Sequence, residues 1–142
     1  MGQRRVAREC ALQMLYEWDI GGNSIDEVLR TYWTISEHPS GVRTFAEELF
    51  SGVAGQLQEI DALIQRHAQN WRLGRMAAVD RNVLRLAVFE LRSDGRNPDS
   101  VIINEAIEIA RKFSTQDSAQ FVNGILDSVR KELPAKASAS TG

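Results

Sequence analysis

Residues 103–127, INEAIEIARKFSTQDSAQFVNGILD, place apolar side chains at helical spacing on either side of a short polar interval. Two ladders with steps of three and four residues predict two consecutive amphipathic helices here. Their members are Ile102, Ala106, Ile109, Ala110 and Phe113 in the first ladder, and Phe121, Val122, Ile125, Leu126 and Val129 in the second. Pro134 is expected to end the second helix.

The same helical spacing continues toward the amino terminus, and no convincing strand-like alternation appears. Five more ladders occupy residues 7–18, 25–32, 42–53, 57–64 and 79–91. Ser24 and Glu27 form the S-x-x-E pattern of a capping box, which predicts a helix start at that point. The chain is therefore predicted to be all-α, with about seven helices in two small bundles, about 4–55 and about 57–132. Both bundles belong to one domain, 1–133, and the low-complexity residues 134–142 are predicted to be a disordered tail.

Composition excludes several classes of protein. A chain of 142 residues can bury a core without disulfides or metals, and its single cysteine, Cys10, suits a reducing cytosol. No apolar run reaches the ~20 residues of a membrane span, and the charged start is not a signal peptide. The formal charge of -2 is far from that of a strongly basic nucleic-acid-binding domain. The sequence therefore predicts a cytoplasmic protein that meets any anionic partner through a local patch.

No pattern of catalytic or metal-binding residues stands out. His38 and His67 have no Cys, His or carboxylate at metal-ligand spacing, and Cys10 lies on an apolar ladder. Glu90 and Glu105 could act as a carboxylate pair only if the fold brought them together. We therefore predict no enzymatic activity, no metal and no cofactor.

Positive charge is concentrated at the start of the first helix. Arg4, Arg5 and Arg8 lie in the first eight residues, and Arg5, Arg8, Leu12 and Tyr16 share one helical stripe. Guanidinium groups followed by an aromatic ring can hold phosphates and stack a base. Positive charge here opposes the helix dipole, so something outside the helix should offset the cost, and a phosphate backbone is a natural candidate. A solvated helix start with Tyr16 in the core is equally compatible with these residues.

Three blocks resemble the NusB family of bacterial transcription antitermination proteins. They are RRVARECALQMLYEWD (4–19), VDRNVLRLAVFEL (79–91) and residues 103–127, and the resemblance extends from Arg4 to about Val129. It implies an RNA-binding adaptor without enzymatic activity. The implied partner is a small-subunit ribosomal protein, also called NusE, with which it recognises single-stranded boxA RNA in nascent transcripts, notably of ribosomal RNA operons. The implied role is to help load a complex, with other Nus factors, that keeps RNA polymerase from terminating.

The resemblance also implies roles for individual residues. The implied RNA-binding positions are Arg4, Arg5, Arg8, Tyr16, Phe113, Asp117 and Phe121. Asp80 and Arg85 lie on the helix expected to face the partner protein. A core role for Phe113 and Phe121 remains as compatible as base stacking, and Asp117 could simply cap the last helix. Gly124 is expected to allow close helix contact.

Two alternatives remain at this stage. One is the RNA-binding domain, of the same fold, that begins some ribosomal RNA methyltransferases. A free-standing factor is favoured over it because a tail follows the last predicted helix. The other is a homodimeric protein-interaction module whose dimer contact covers the arginines.

Overall fold

The computed structural model describes residues 2–93 and 97–134. These residues form seven α-helices and a short 3₁₀ turn, Leu73–Arg75, and contain no strand. The helices are α1 (Gln3–Gly21), α2 (Ile25–Ile35), α3 (Ser40–Gly55), α4 (Leu57–His67), α5 (Ala78–Arg92), α6 (Asp99–Phe113) and α7 (Gln116–Glu132). The predicted all-α fold of about seven helices is confirmed for this part of the chain. Residues 94–96, and residues 135–142 of the predicted tail, lie outside the described residues.

Local signals fix several helix ends. The predicted capping box is present: Ser24 Oγ accepts from the Glu27 N–H at 3.1 Å, while Glu27 Oε1 accepts from the Ser24 N–H at 2.9 Å. Helix α1 ends at Gly22, whose φ of 74° suits a residue without a Cβ. Thr115 caps α7 by accepting from the Ser118 N–H at 2.9 Å. Asp117 therefore lies in the first turn of α7 and is not its N-cap.

Helix α1 contacts helices of both predicted bundles. It packs along α3 on one side and against α5 on the other, while α6 and α7 pack on α5. One continuous buried cluster contains residues of all seven helices, and its fully buried side chains include Met14, Leu15 and Phe50. Each such side chain contributes about 1.5–3 kcal/mol through burial. The Trp18 ring meets Phe50 edge to face at 6.0 Å between centroids.

One glycine allows α3 and α5 to approach closely, but it is not the glycine expected from the sequence. A Cβ at Gly52 would lie 2.2 Å from the Phe89 ring, so only glycine fits beneath this ring without a shift. At Gly124 a Cβ would meet nothing within 4 Å, and the residue is exposed. The prediction of close helix contact at Gly124 is therefore wrong.

Helix α5 contributes an unusual number of buried polar side chains. Five polar side chains of this helix are each at most 8% exposed: Asp80, Arg81, Asn82, Arg85 and Glu90. Buried charges are tolerated only when they are paired and hydrogen-bonded. Their partners lie on neighbouring helices, above all on the two ends of α1.

Candidate nucleic-acid interface

The three arginines at the start of α1 lie in three different environments. Arg4 is exposed, with Cζ 4.7 Å from the centroid of the Phe45 ring of α3. The Arg5 side chain is 36% exposed, whereas Arg8 is buried and only 5% exposed. Exposure therefore falls steadily along little more than one helical turn, and the outermost guanidinium is supported by an aromatic face.

Arg8 is held inside the protein by Glu90. Its Nε and Nη2 donate to the two carboxylate oxygens of Glu90 at 2.7 and 2.8 Å, and both side chains are nearly inaccessible. This two-point geometry is the strongest that arginine and a carboxylate can adopt. The structure therefore does not favour the RNA contact predicted for Arg8, whose guanidinium is turned toward α5.

Arg5 forms a similar pair nearer the surface. Its Nε and Nη2 donate to Oε1 and Oε2 of Glu105 on α6, the second at 2.8 Å. The hydrogen bond from Arg5 lowers the pKa of Glu105, against the opposing effect of burial, and the positive charges of Arg5 and Arg8 add to the lowering. Glu105 is consequently ionised at neutral pH.

Glu90 and Glu105 do come close together, but both are committed to arginines. Glu105 Oε1 lies 3.8 Å from Arg8 Nη1, so Arg8 stands between the two carboxylates. Charges of alternating sign thus run from the interior to the surface in the order Glu90, Arg8, Glu105 and Arg5. We call these four residues the arginine–glutamate chain. It offsets the cost of positive charge at the start of α1. The offset expected from a phosphate is supplied in the free protein by these carboxylates.

Two aromatic rings of the predicted set are exposed. Tyr16 is 44% exposed, so it does not lie in the core, and Phe113 at the end of α6 is 37% exposed. Lys112 donates to both carboxylate oxygens of Glu9 at 3.1 Å, which holds the end of α6 beside α1. Lys112 Nζ also lies 5.3 Å from the Phe113 centroid. The Phe113 ring is therefore available to a ligand together with nearby positive charge.

Phe121 packs on the core but is only partly buried, and its role in base stacking stays a prediction. Its ring meets the exposed Trp71 ring at 5.8 Å. The two rings belong to an open groove between the start of α5 and the start of α7. The other residues along this groove are Arg75, Met76, Ala77, Asp80, Asp117 and Ser118. We call it the α5–α7 groove.

Asp80 is the unusual group in the α5–α7 groove. It is 8% exposed, and its Oδ2 accepts from Ser118 Oγ at 2.9 Å. Its Oδ1 is buried and has no hydrogen-bond partner among residues 2–93 and 97–134. A buried acceptor without a partner costs about 1–3 kcal/mol, so a donor that entered the groove would recover that cost. Of the predicted partner-binding residues, Asp80 is therefore placed to accept such a donor.

Arg85, the other predicted partner-binding residue, faces inward. It is 6% exposed, and its Nε and Nη2 donate to Asp61 on α4 at 2.8 and 2.9 Å. Its Nη1 donates to Asp19 at the other end of α1 at 3.1 Å. The structure thus does not favour a partner contact for Arg85, because every face of its guanidinium is engaged within the fold.

Asp19 is the centre of this second cluster, which we call the aspartate cluster. Its Oδ2 accepts from Arg81 Nε at 2.8 Å and from Asn82 Nδ2 and Arg85 Nη1 at 3.1 Å. Burial alone would raise the pKa of Asp19, but hydrogen bonds from Arg81 and Asn82, with the charge of Arg85, lower it below its usual value. The cluster attaches α1 to α5.

Sequence reasoning missed the partners that decide these roles. Glu90, Glu105, Asp19 and Asp61 belong to ordinary helical patterns, and nothing in their spacing indicates which arginine each would meet. No sequence pattern indicates that Trp71 and Ser118 belong to a binding groove. Over residues 2–93 and 97–134, no group of three or more His, Cys, Asp or Glu is arranged to hold a metal ion. None of the helices described there is long and apolar enough to cross a membrane.

The fold and these surfaces define an all-helical binding protein with a basic edge at the start of its first helix. The chain belongs to the NusB family, whose model matches residues 5–131.

Individual relatives agree with this assignment. The transcription antitermination protein NusB of Koribacter versatilis is 49% identical over 136 residues, which cover 95% of this chain and 93% of that protein. Among solved structures, T. maritima NusB is 35% identical with a TM-score of 0.86, and 96% of each chain is covered. A structure of the antitermination factors NusB and NusE in complex with dsRNA matches at 26% identity and a TM-score of 0.82. That match covers 92% of this chain and 98% of the other.

Proposed function

We propose that this protein is a transcription antitermination factor that binds single-stranded boxA RNA in nascent transcripts, notably those of ribosomal RNA operons. It acts with a NusE-type small-subunit ribosomal protein and with other Nus factors on RNA polymerase, and it prevents premature termination. The observation that carries the proposal is the accessible guanidinium groups of Arg4 and Arg5 at the start of α1. The exposed rings of Tyr16, further along α1, and of Phe113, at the end of α6, support it.

The RNA surface follows from the chemistry of these groups. Phosphates of the RNA backbone meet Arg4 and Arg5, while bases stack on Tyr16 and Phe113. Asp117 and Phe121, at the start of α7, are proposed to contact RNA where they line the α5–α7 groove. Arg8 supports this surface from within and does not touch RNA, because Glu90 occupies its guanidinium.

The partner protein is proposed to meet the α5–α7 groove. Asp80 Oδ1 has no donor among the described residues, and the Trp71 and Phe121 rings of the same groove offer apolar area. A guanidinium, an ammonium or a backbone N–H of the partner satisfies the carboxylate. The neighbour solved with NusE and RNA supports a protein partner as well as an RNA.

The protein works by binding and not by catalysis, and it acts in the cytoplasm, where bacterial transcripts are made. Glu90 and Glu105, the carboxylates that come closest to a catalytic pair, are both held by arginines. We therefore expect no turnover of ATP or RNA by the purified protein. Hydrolysis that disappears with a point substitution in this chain would contradict this part of the proposal.

Titration of a fluorescently labelled single-stranded boxA RNA tests the proposed function. The RNA is titrated with this protein, with NusE and with an equimolar mixture, and a scrambled RNA serves as the control. We expect a 1:1 protein complex that binds boxA RNA at least about tenfold more tightly than either protein alone, roughly 1.4 kcal/mol. Equal affinities in all three titrations would contradict a cooperative role.

The groove is tested separately by Asp80→Asn. This substitution keeps the shape of the side chain but removes its charge, so we expect weaker binding to NusE and unchanged binding of RNA to the protein alone. Asp127→Asn is the control, because Asp127 lies on α7 but does not line the groove, and its side chain is 45% exposed and pairs with its neighbours Arg130 and Lys131. Equal effects of the two substitutions would argue against the groove as the partner site.

A further inference from the structure

The Arg5–Glu105 pair forms the surface end of the arginine–glutamate chain, and it uses the part of Arg5 that can also bind a phosphate. Arg5 uses Nε and Nη2, one edge of its guanidinium, to donate to both oxygens of Glu105. Two-point pairing along such an edge is also how arginine binds phosphate most strongly. The carboxylate of Glu105 therefore occupies the position that an RNA phosphate would take on Arg5.

The pair is accessible and can be opened. The side chains of Arg5 and Glu105 are 36% and 21% exposed, whereas those of Arg8 and Glu90 are 6% and 7% exposed. An ion pair near the surface contributes only about 0–1 kcal/mol, so a phosphate can compete for it. The inner pair is buried and stays closed.

Glu105 also has a second cation within reach. Arg8 Nη1 lies 3.8 Å from Glu105 Oε1, and Arg8 is fixed in place by its two hydrogen bonds to Glu90. When Arg5 turns toward a phosphate, Glu105 remains beside the positive charge of Arg8. This arrangement lowers the cost of releasing Arg5, because the carboxylate is not left without a countercharge.

We propose that Glu105 is an intramolecular competitor of RNA phosphate for Arg5, and that it limits the affinity of the free protein for RNA. The proposal rests on the proposed RNA-binding function. Competition of this kind acts on phosphate contacts, which carry no sequence information. It therefore reduces the binding of boxA RNA and of unrelated RNA by the same factor, and it leaves discrimination to the bases and the partner protein.

Glu105→Gln tests the competition directly. The substitution retains size and removes the charge, and we expect it to tighten binding of labelled single-stranded RNA about two- to fivefold, up to about 1 kcal/mol. The gain should be the same for boxA and scrambled RNA. Unfolding by denaturant should stay close to that of the original protein, since Glu90 still holds Arg8.

Glu108→Gln is the matched control. Glu108 lies one turn further along α6, carries the same charge near Arg5 and pairs with Arg111 at 2.7 Å. It measures the general effect of removing one negative charge near the RNA surface. We expect the gain from Glu105→Gln to exceed that from Glu108→Gln by at least about twofold.

Arg5→Ala completes a double-mutant cycle. With Arg5 absent, Glu105→Gln should no longer tighten binding; a gain that persists would mean a general charge effect and would overturn the proposal. Weaker binding by Glu105→Gln would also overturn it, because Glu105 would then be positioning Arg5 for RNA.

If Arg5→Ala weakens binding while Glu105→Gln changes nothing, only the competition fails. If neither substitution changes affinity, Arg5 does not bind RNA and its proposed role fails as well.

Discussion

The two ends of α1 carry charges of opposite sign, and both are opposed to the helix dipole. Residues 3–8 include Arg4, Arg5 and Arg8 and no acid, whereas the last turn holds Asp19 and no base. An isolated helix with this arrangement would lose stability at both ends. In the folded protein both costs are offset by charges on other helices: Glu90 and Glu105 at the beginning of α1, and Arg81 and Arg85 near its end.

The ends differ in how completely they are enclosed. In the aspartate cluster, Arg81, Asn82 and Arg85 are all at most 8% exposed. The arginine–glutamate chain instead begins at buried Glu90 and Arg8 and ends at the partly exposed Arg5, and the neighbouring Arg4 is exposed. The charged cluster near the end of α1 therefore only attaches this helix to its neighbours. The charges at the start of α1 attach it as well, and they also leave positive charge accessible to a ligand. The difference separates arginines that stabilise the fold from arginines that can bind a ligand.

The largest effect is expected from Arg8→Ala. Removal of this guanidinium leaves Glu90 buried without a partner, and breaking a buried pair in this way costs about 3–5 kcal/mol of the free energy of unfolding. Arg4→Ala is the matched control at the same end of the helix, with an expected change within about 0.5 kcal/mol. Denaturant unfolding of both variants measures the contrast.

A double variant distinguishes charge from volume at this position. Arg8→Met with Glu90→Leu replaces the buried pair by apolar side chains and should recover most of the stability lost in Arg8→Ala. Equal stability of the Arg8→Ala and Arg4→Ala variants would show that the two arginines do not differ in environment, and the distinction drawn above would be lost.

A smaller effect, about 1–3 kcal/mol, is expected at the other end of α1 from Asp19→Asn. The asparagine still accepts one hydrogen bond, and Arg85 keeps Asp61. Because the folded-state pKa of Asp19 is lowered, the carboxylate contributes its stability fully above the ordinary pKa of about 4. That contribution is lost as the pH falls through the lower, folded-state value.

Unfolding at several pH values measures this contribution. The stability difference between the original protein and Asp19→Asn should be constant above about pH 5 and should close in more acidic solution. A difference that stays the same down to pH 2 would mean that the ionised carboxylate of Asp19 does not hold the cluster together.

The sequence carries enough information for the helices but not for the environment of each arginine. Helical periodicity and the Ser24–Glu27 capping box are local signals, and both helices and cap were predictable. Whether Arg4, Arg5 or Arg8 is buried depends on where Glu90 and Glu105 lie, more than 80 residues away along the chain. The sequence pattern therefore does not distinguish the burial of the three arginines. The family resemblance implied a partner-facing Arg85, and nothing local in the sequence links this residue to Asp19 and Asp61.

We expect base stacking on Tyr16 to contribute about 1 kcal/mol to the free energy of RNA binding. Stacking of a base contributes about 1–3 kcal/mol, and the lower end applies because the ring is only 44% exposed. Tyr16→Ala should weaken RNA binding by this amount, while Tyr16→Phe keeps the ring and should change it by less than about 0.5 kcal/mol. Neither substitution should alter the dependence on salt; equal losses in both variants would indicate a role for the hydroxyl in place of stacking.

The salt dependence of RNA binding tests most directly the claim that the exposed end of α1 binds phosphate. Each phosphate contact to single-stranded RNA contributes about -0.7 to the slope of log affinity against log salt concentration. Replacing Arg4 and Arg5 together by Ala should flatten the slope by about 1.4, with normal helicity and with weaker binding to all RNA sequences. A folded double variant whose slope equals that of the original protein would contradict the account, because the accessible arginines would then have no contact with RNA.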